Sequence, residues 1–453
     1  MRLYEALRLN DGEIVAFTGA GGKTTALFRL AENIVEAGGR VITTTTVPLS
    51  TAHLRRAPRH FSAFSAKRAN IEEALAKHAH VLVTGPVDHV LGRASGVTEG
   101  LIEDLALIPN LTALLIKADS ADQRPLKAPA EAEPIVPPTA TLVVNVVGLE
   151  ALGQPLTDDA AQHAERIAEF TRAPLGGQIT SELIAQIITH PQGGLKNAPS
   201  GARVAVLLNK AETPEAMTAA RKIAVDALKH PRLESVLIDS ARQGNPVQEA
   251  HARVAAIVLA AGRSTRMGRS KQLLPWGEAG AVIEEVVRRL LANSVSEVVV
   301  VTGAEREAVE GALAELIQSS RRVRCVFNPG FASSEMARSL QVGLRALPGN
   351  CFAALVALAD QPQIEPRVVE VVLQRWRETQ AWVVAPFYQG QRGHPLLFDR
   401  ALWPQLLALP TEANPREVVR GADIERVEVD TDSILRDMDS PDEYERAWRL
   451  NQL

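Results

Sequence analysis

The amino-acid sequence predicts two α/β domains in one chain. Short apolar runs alternate with helix-like segments along both halves, which is typical of open α/β sheets. Each half also contains an apolar run that leads into a glycine-rich loop. A polar stretch that contains Gly244-Asn245-Pro246 separates the two patterns. We therefore expect a first domain at residues 1–240, a linker at residues 241–253 and a second domain at residues 254–453.

The composition of the 453 residues excludes several classes of protein. The net charge of -4 argues against a nucleic-acid or membrane-surface protein. The only cysteines are Cys325 and Cys351, so neither a disulfide framework nor a zinc cluster is expected. No apolar run approaches the roughly 20 residues of a membrane span, and residues 1–10 lack the apolar core of a signal peptide. These features predict a cytoplasmic protein that binds neither nucleic acid nor membranes.

The first glycine-rich loop follows the apolar run Glu13–Thr18. A strand, a glycine loop, Lys-Thr and a helix are the layout of a P-loop, in which Lys23 reaches the outer phosphates and Thr24 ligates Mg²⁺. The match is incomplete because Phe17 replaces the first glycine of the motif, so a simple glycine turn before a helix remains an alternative. The residues predicted to bind a nucleotide, either ATP or GTP, are Gly19, Gly21, Gly22, Lys23, Thr24 and Thr25.

Four downstream segments extend this candidate site. Asp119 ends an apolar run and suits a Walker B-like role at Mg²⁺. Thr43–Thr46 are either ligand-binding hydroxyls at a strand end or ordinary β-branched strand residues. The proline-framed loop at residues 124–134 is either a ligand-binding loop or a solvated surface loop. Asn209-Lys210-Ala211-Glu212 looks like the N-K-x-D motif of GTPases, but Glu212 weakens the prediction of guanine recognition.

The second glycine-rich loop follows the apolar run Ala255–Ala261. Gly262 ends the run, and the cations that follow it are Arg263, Arg266, Arg269 and Lys271. Backbone amides can approach phosphate oxygens where no Cβ intervenes, and the cations neutralise the charge. This segment therefore suits a polyphosphate, and the alternative is a glycine turn with a solvated basic face.

The segment at residues 259–275, L-A-A-G-x-S-x-R-M-G-x-x-K-x-L-L-P, resembles the signature of the molybdenum cofactor cytidylyltransferases, which are MobA-like NTP transferases. The resemblance implies a Rossmann-like, doubly wound nucleotidyltransferase domain. It places Arg266 and Lys271 at the triphosphate, and Ala261 favours CTP because guanylyl relatives carry a second glycine there. The residues implied to bind the nucleotide are Leu259, Ala260, Ala261, Gly262, Arg263 and Ser339. For Ser339, a position on the surface of a helix N-terminus is the alternative.

Carboxylates in the C-terminal half suit Mg²⁺. Asp360 follows the apolar run Phe352–Ala359, where a carboxylate can hold Mg²⁺ against a triphosphate or simply cap the next turn. The family resemblance implies that Asp437 or Asp439 supplies the second carboxylate. It also implies that Arg392, Gly393 and His394 face the acceptor substrate.

These residues predict Mg²⁺-dependent transfer of CMP from CTP to the phosphate of molybdopterin, with Arg266, Lys271 and Asp360 as the catalytic residues. One alternative is a nucleotidyltransferase for a sugar or polyol phosphate, which the Gly393-His394-Pro395 loop disfavours. Another is a non-catalytic chaperone that binds the cofactor and is switched by the P-loop. Glu335 and the segment at residues 411–416 depart from the family pattern and leave this chaperone open.

Residues 1–240 resemble the YqeC-type accessory proteins of selenium-dependent hydroxylases. The matching segments are Gly19–Thr25, Thr43–Thr46, Ala118-Asp119, Leu126–Pro134 and Gly193–Lys196. That family usually has Glu in place of Lys117 and Gly in place of Ser120. The resemblance implies a P-loop-like nucleotide-binding domain that acts near molybdenum enzymes, with a molybdenum hydroxylase as client. Its role would be that of an NTPase, a nucleotide-dependent switch or a binding module.

Overall fold

The computed structural model describes residues 1–121, 123–240, 247–262, 270–277, 280–331, 336–410, 419, 421–438 and 440–451. The chain divides into two compact units, Met1–His251 and Ala252–Leu453. Both units are α/β, as the sequence predicts. Among the described residues, no helix is long and apolar enough to cross a membrane.

The first unit is built on one sheet with helices on both faces. Its strands are β1 (Glu13–Gly19), β2 (Val41–Thr45), β3 (Leu49–Ser50), β4 (Arg59–Ser62), β5 (His80–Thr84), β6 (Val87–Asp88), β7 (Arg93–Ala94), β8 (Ala113–Lys117), β9 (Leu126–Lys127), β10 (Leu142–Gly148), β11 (Ala161–Gln162), β12 (Arg203–Asn209) and β13 (Ser235–Asp239). Its helices are α1 (Leu3–Ala6), α2 (Lys23–Glu36), α3 (Arg68–His78), α4 (Glu99–Ala106), α5 (Ala164–Thr171), α6 (Ser181–Thr189) and α7 (Pro214–Ala227).

The strand order of this sheet creates a crevice at the end of β1. The order is β13-β12-β10-β1-β8-β2-β5-β4, and its neighbouring strands run parallel. Both faces are covered, so β1, β8 and β10 are apolar along nearly their whole length. From β1 the chain crosses to β2, which lies on one side of β1 in the sheet, whereas β10 lies on the other side of β1. Ligands of open α/β sheets bind at the carboxyl ends of strands where the direction of winding reverses.

The second unit has a largely parallel sheet that is also covered on both faces. Its strands are β14 (Val247–Ala260), β15 (Pro275–Trp276), β16 (Gly280–Ala281), β17 (Val298–Thr302), β18 (Val323–Phe327), β19 (Cys351–Leu358), β20 (Val383–Tyr388), β21 (Gln391–Arg392), β22 (Leu396–Asp399) and β23 (Ile424–Glu428). Its helices are α8 (Val282–Leu291), α9 (Arg306–Ala312), α10 (Ala314–Ser319), α11 (Met336–Ala346), α12 (Pro366–Thr379), α13 (Trp403–Leu407) and α14 (Pro441–Asn451). The main sheet has the order β18-β17-β14-β19-β22-β20-β23, and β22 is antiparallel to both of its neighbours.

The boundary between the units lies within β14, after His251. The polarity of the sequence predicts a linker at residues 241–253, yet residues 247–253 belong to this strand. Glu249 is only 2% exposed in this strand. Its carboxylate pairs with Arg221 at 2.5 Å and with His251 at 2.7 Å. A charged residue that finds such partners can occupy a buried strand, which local polarity does not reveal. Residues 241–246 lie outside the described part of the chain.

Candidate functional site

In the second unit, the fold brings two predicted site segments together at the carboxyl edge of the sheet. Leu259 of β14 is paired with Leu358 of β19, and the Ala359 amide donates a hydrogen bond to the Leu259 carbonyl at 3.3 Å. The residues Leu259, Ala260, Ala261 and Gly262 therefore lead out of the sheet beside Asp360. Arg263 and Arg266, which the sequence predicts to bind the triphosphate, lie outside the described residues.

Lys271 stands next to Asp360 at this edge. Their Nζ and Oδ2 atoms are 3.6 Å apart, and the two side chains are 12% and 26% exposed. Lys271 begins a short 3₁₀ turn, and the side-chain amide of Gln272 fixes this turn by donating to the Ala260 carbonyl at 3.4 Å. A cation and a carboxylate therefore lie side by side and partly exposed to solvent. They lie at the carboxyl edge of the sheet, where ligands of open α/β sheets bind.

Asp437 reaches the same region through a side-chain contact. The Gln361 amide donates to Asp437 Oδ1 at 2.7 Å, and Gln361 directly follows Asp360 in the chain. Mg²⁺ is commonly held by one or two carboxylates together with substrate phosphates, so this arrangement fits the ion. Asp439 lies outside the described residues. Within the described ranges, no cluster of three or more His, Cys, Asp or Glu side chains could hold a metal ion.

One predicted nucleotide residue and the three predicted acceptor residues line one cavity of about 500 Å³. Leu259 lies on its wall together with Arg392, Gly393 and His394. Much of the remaining lining is apolar, including Leu340, Leu358, Phe387 and Phe398. Apolar walls with few polar groups suit a flat ring system that those polar groups orient.

Gly393 fixes the acceptor loop against the segment that leads to Asp437. The Gly393 amide donates to Pro386 at 3.0 Å, and the His394 amide donates to the Ile434 carbonyl at 3.2 Å. A Cβ at position 393 would lie 2.3 Å from the Ile434 carbonyl oxygen, which is far inside contact distance. Only glycine therefore fits between β21 and the residues before Asp437.

Gly393→Ala is expected to lower at least tenfold the nucleotidyl transfer that the sequence predicts, because the added Cβ would displace the Ile434 segment and with it Asp437. The measurement is kcat and KM for the acceptor with the purified full chain. Gly349→Ala is the matched control, since a Cβ there meets no atom within 4 Å and should change neither constant. Equal activity of the two variants would contradict the role of Gly393.

Ser339 is buried and does not lie on a helix surface. It is 8% exposed, and its hydroxyl accepts a hydrogen bond from Asn328 Nδ2 at 3.1 Å. Asn328 is fully buried and also accepts from the Gly330 amide at 3.0 Å. In the described structure Ser339 thus supports the turn after β18, and its contact with a nucleotide stays a prediction. Glu335 and residues 411–416 lie outside the described residues.

In the first unit, the predicted strand, glycine loop and helix are present, but the loop uses its first three amides internally. Gly19 N–H donates to Asp119 Oδ2 at 3.0 Å, Ala20 N–H to the Val146 carbonyl at 2.8 Å, and Gly21 N–H to the Arg124 carbonyl at 3.1 Å. In the part of the chain that the structure describes, the amides of Gly22, Lys23, Thr24 and Thr25 have no such partner. The donors left for a phosphate are therefore those of the first turn of α2.

The Lys23 side chain turns back into this loop. Its Nζ contacts the Gly19 carbonyl, and the residue is only 5% exposed. Burial lowers the pKa of Lys23 to about 7, although the nearby Asp119 carboxylate acts in the opposite direction. Thr24 is partly exposed at the start of α2.

Asp119 lies in a closed network of charged side chains with Lys127 and Glu133. Lys127 Nζ contacts Asp119 Oδ1 at 2.5 Å, the Ser120 carbonyl at 2.5 Å and Glu133 Oε2 at 2.7 Å. The side chains of Asp119 and Lys127 are both 0% exposed. The second oxygen of Asp119 accepts a hydrogen bond from Gly19 N–H at 3.0 Å, so these contacts disfavour a Mg²⁺ ion at Asp119, and its role as a ligand together with Thr24 stays a prediction.

Sequence reasoning missed two residues that shape this site. Lys127 appeared only as one charge in a loop that was expected to be either ligand-binding or solvated, whereas it is buried in the network. Asn209 donates from Nδ2 to the Gly21 carbonyl at 2.8 Å, so it holds the glycine loop. The only signal for either residue was its place in a short motif, Leu126–Pro134 for Lys127 and Asn209–Glu212 for Asn209.

The hydroxyls of Thr43, Thr45 and Thr46 hold the strand end. Thr43 Oγ1 lies 3.0 Å from His80 Nε2, and Thr45 Oγ1 donates to the Val47 carbonyl at 2.6 Å. Thr46 Oγ1 donates to the Ile135 carbonyl at 2.9 Å. These contacts favour the structural alternative for those three residues.

Two regions of the chain match known protein families. Residues 256–428 match the family described as MobA-like NTP transferase domain, and residues 15–165 match the family described as YqeC protein. Among curated proteins, the chain is 29% identical over 204 residues to the uncharacterized protein YqeC of Escherichia coli, which covers 44% of this chain and 75% of that protein. It is 26% identical over 189 residues to the molybdenum cofactor cytidylyltransferase of Escherichia coli, covering 42% and 92%.

Other relatives match a similar share of the chain. The chain is 28% identical over 213 residues to the nicotine blue oxidoreductase of Paenarthrobacter nicotinovorans, covering 44% of this chain and 96% of that protein. Among solved structures, Rv0371c from Mycobacterium tuberculosis matches with 24% identity and a TM-score of 0.38, covering 44% of this chain and 97% of its own. A nucleotidyl transferase from Methanothermobacter matches with 27% identity and a TM-score of 0.37, covering 44% and 98%.

Proposed function

Because the chain combines a YqeC domain with a MobA-like NTP transferase domain, we propose that its C-terminal unit transfers CMP from CTP to the terminal phosphate of molybdopterin. The observation that carries this proposal is the paired Lys271 and Asp360 at the end of β14 and β19. Leu259, on the same strand end, lines a cavity together with Arg392 and His394. These positions support a triphosphate site beside an acceptor site, which is the arrangement that a nucleotidyltransferase requires.

In the proposed reaction, a phosphate oxygen of molybdopterin attacks the α-phosphorus of CTP and forms a new P–O bond. The bond from the α-phosphorus to its bridging oxygen breaks, and pyrophosphate leaves with the electron pair. The attacking phosphate is already anionic, so the reaction needs no strong general base. Positioning and charge neutralisation therefore provide most of the rate enhancement.

The side chains at the sheet edge divide these tasks. The Lys271 ammonium neutralises charge on the triphosphate as pyrophosphate departs, and Arg266 and Arg263 add further positive charge. Asp360, with Asp437 or Asp439, would hold Mg²⁺, which supplies charge neutralisation at the phosphates when it is bound. Gln361 keeps Asp437 oriented toward this edge through its 2.7 Å hydrogen bond.

The cavity orients the acceptor. Arg392 and His394 provide the polar groups beside the predominantly apolar walls, which suit the pterin ring system. Ala261 at the end of β14 supports CTP, and the cytidylyltransferase name of one relative supports the same choice. Ser339 and Ala260 would complete the surroundings of the base and the ribose.

The N-terminal unit would act as a nucleotide-binding accessory domain for ATP or GTP. Its glycine loop, the first turn of α2 and Asn209 lie together at one edge of the sheet. A molybdenum hydroxylase that receives the finished cofactor is the proposed client, in keeping with the two domains on one chain.

The proposal is tested by measuring pyrophosphate release from the full chain with Mg²⁺ and molybdenum-loaded molybdopterin, in separate reactions with CTP, GTP and ATP. We expect more pyrophosphate to be released with CTP than with GTP or ATP. Parallel reactions replace molybdopterin with a sugar phosphate or a polyol phosphate. Release only in those reactions would assign a different acceptor, and cofactor binding without release in any reaction would favour the chaperone.

A further inference from the structure

The five charged residues around the N-terminal glycine loop form one cluster, which we call the lysine–carboxylate cluster. Its members are Lys23, Lys117, Asp119, Lys127 and Glu133, and the other four all act electrostatically on Lys23. Three lysine side chains therefore surround two carboxylates. A site for a divalent metal is instead built from carboxylate and carbonyl oxygens, so this excess of lysines disfavours a metal ion.

We propose that the N-terminal site binds its ligand without a divalent metal, because the Lys127 ammonium occupies the place of the ion. The proposal rests on the nucleotide-binding role proposed above for this unit. A Walker B-like Asp119 would need an oxygen directed to Mg²⁺. Each of its oxygens instead accepts a hydrogen bond, one from Lys127 at 2.5 Å and the other from the Gly19 amide at 3.0 Å, and the side chain is 0% exposed, so neither oxygen is open to an ion.

The Lys127 side chain has a complete set of hydrogen-bond partners inside the protein. An ammonium group has three donors, and Lys127 meets three acceptors: Asp119, the Ser120 carbonyl and Glu133, all within 2.7 Å. Its side chain is 0% exposed, as is that of Asp119. A metal ion would have to displace a buried ammonium that has a complete set of partners, and it would leave that charge without them.

Lys117 also disfavours a metal ion at this site. Its Nζ donates to the Pro48 carbonyl at 2.9 Å and lies 3.4 Å from Ser120 Oγ, so its charge is held beside the network. The Lys117 side chain interacts electrostatically with the Asp119 and Glu133 carboxylates and so adds positive charge beside them. This charge repels a divalent cation and attracts the phosphate groups of a nucleotide.

The first experiment measures Mn²⁺ binding by electron paramagnetic resonance in the full chain. The triple variant Asp360→Ala, Asp437→Ala, Asp439→Ala serves as parent, so that the C-terminal carboxylates do not contribute. Little or no bound Mn²⁺ is expected in the parent. Tight binding in the parent that disappears on a further Asp119→Asn change would overturn the proposal.

The second experiment adds Lys127→Met to this parent. Methionine keeps the apolar length of the side chain but leaves Asp119 and Glu133 facing each other, so Mn²⁺ affinity should rise about tenfold or more. Mn²⁺ should also raise the melting temperature of the variant and not that of the parent. Lys77→Met is the matched control, because Lys77 is 64% exposed in α3. An unchanged Mn²⁺ affinity in a folded Lys127→Met variant would contradict the proposal.

The third experiment does not depend on that variant being folded. ATP and GTP binding to the parent is measured by calorimetry with EDTA and again with Mg²⁺, and equal affinity in the two conditions is expected. Binding that requires Mg²⁺ would overturn metal independence and leave nucleotide binding intact. Absence of binding in both conditions would instead overturn the nucleotide-binding role, while the Mn²⁺ measurements would still decide the question of the metal.

Discussion

Replacing Asp360 with Asn is expected to lower the proposed CMP transfer by about 10²–10³-fold, in the range typical of losing one preorganised charge-stabilising group. The side chain keeps its shape and loses its negative charge, so the Lys271 ammonium at 3.6 Å loses its anionic neighbour. The predicted Mg²⁺ ligand set also loses its central member. The expected loss is therefore in kcat, with a small effect on the stability of the fold, because Asp360 is 26% exposed.

Asp430→Asn is the matched control for this variant. Asp430 lies in the same unit, is 77% exposed and pairs with the exposed Arg367. Exposed ion pairs contribute little to stability, so transfer activity should remain at the level of the unmodified chain. Single-turnover measurements separate chemistry from product release. Full activity of Asp360→Asn in such a measurement would remove Asp360 from the mechanism.

Gly21→Ala is expected to destabilise the N-terminal unit by about 2–4 kcal/mol, from backbone strain together with overpacking. Gly21 has φ +71°, which favours glycine, and a Cβ there would lie 2.2 Å from the backbone nitrogen of Gly148. The clash is with backbone, so it cannot be relieved by rotation of a side chain. The loop between β1 and α2 would have to move away from β10.

Gly38→Ala separates the contribution of backbone strain from that of overpacking. Gly38 has φ +84°, but a Cβ there meets no atom within 4 Å, so only the conformational cost of about 1 kcal/mol is expected. All five tryptophans lie in the C-terminal unit, at positions 276, 376, 382, 403 and 448. Circular dichroism during urea unfolding should therefore report the loss in Gly21→Ala, while tryptophan fluorescence should not. Equal stability of Gly21→Ala and Gly38→Ala would show that the close approach to Gly148 is not rigid.

The strand ends that carry the C-terminal candidate site could be predicted from the sequence. The runs before Gly262 and Asp360 are apolar throughout, because both faces of the central strands are covered, and such runs are easy to recognise. Parallel neighbours end at one edge, which places Leu259 and Asp360 near each other in the structure. The roles of Lys271, Asp360 and His394 in binding remain predictions.

The N-terminal network could not be predicted, because it depends on contacts between segments that local patterns do not connect. Gly19 N–H meets Asp119 across 100 residues, and Asn209 reaches Gly21 across 188 residues. The same is true of Glu249 in β14, whose partner Arg221 lies on α7. A charged residue in a sequence looks solvated until its partner is known.

The measurement that tests the central claim most directly follows the α-phosphate of CTP. The full chain is incubated with Mg²⁺, molybdenum-loaded molybdopterin and CTP labelled with ³²P at the α-phosphate, and the acceptor is then separated and counted. The account predicts that label enters the acceptor in equal amount to the pyrophosphate released, that Lys23→Ala retains this transfer and that Asp360→Ala loses it. Bound acceptor that gains no label, with no pyrophosphate released, would contradict the account.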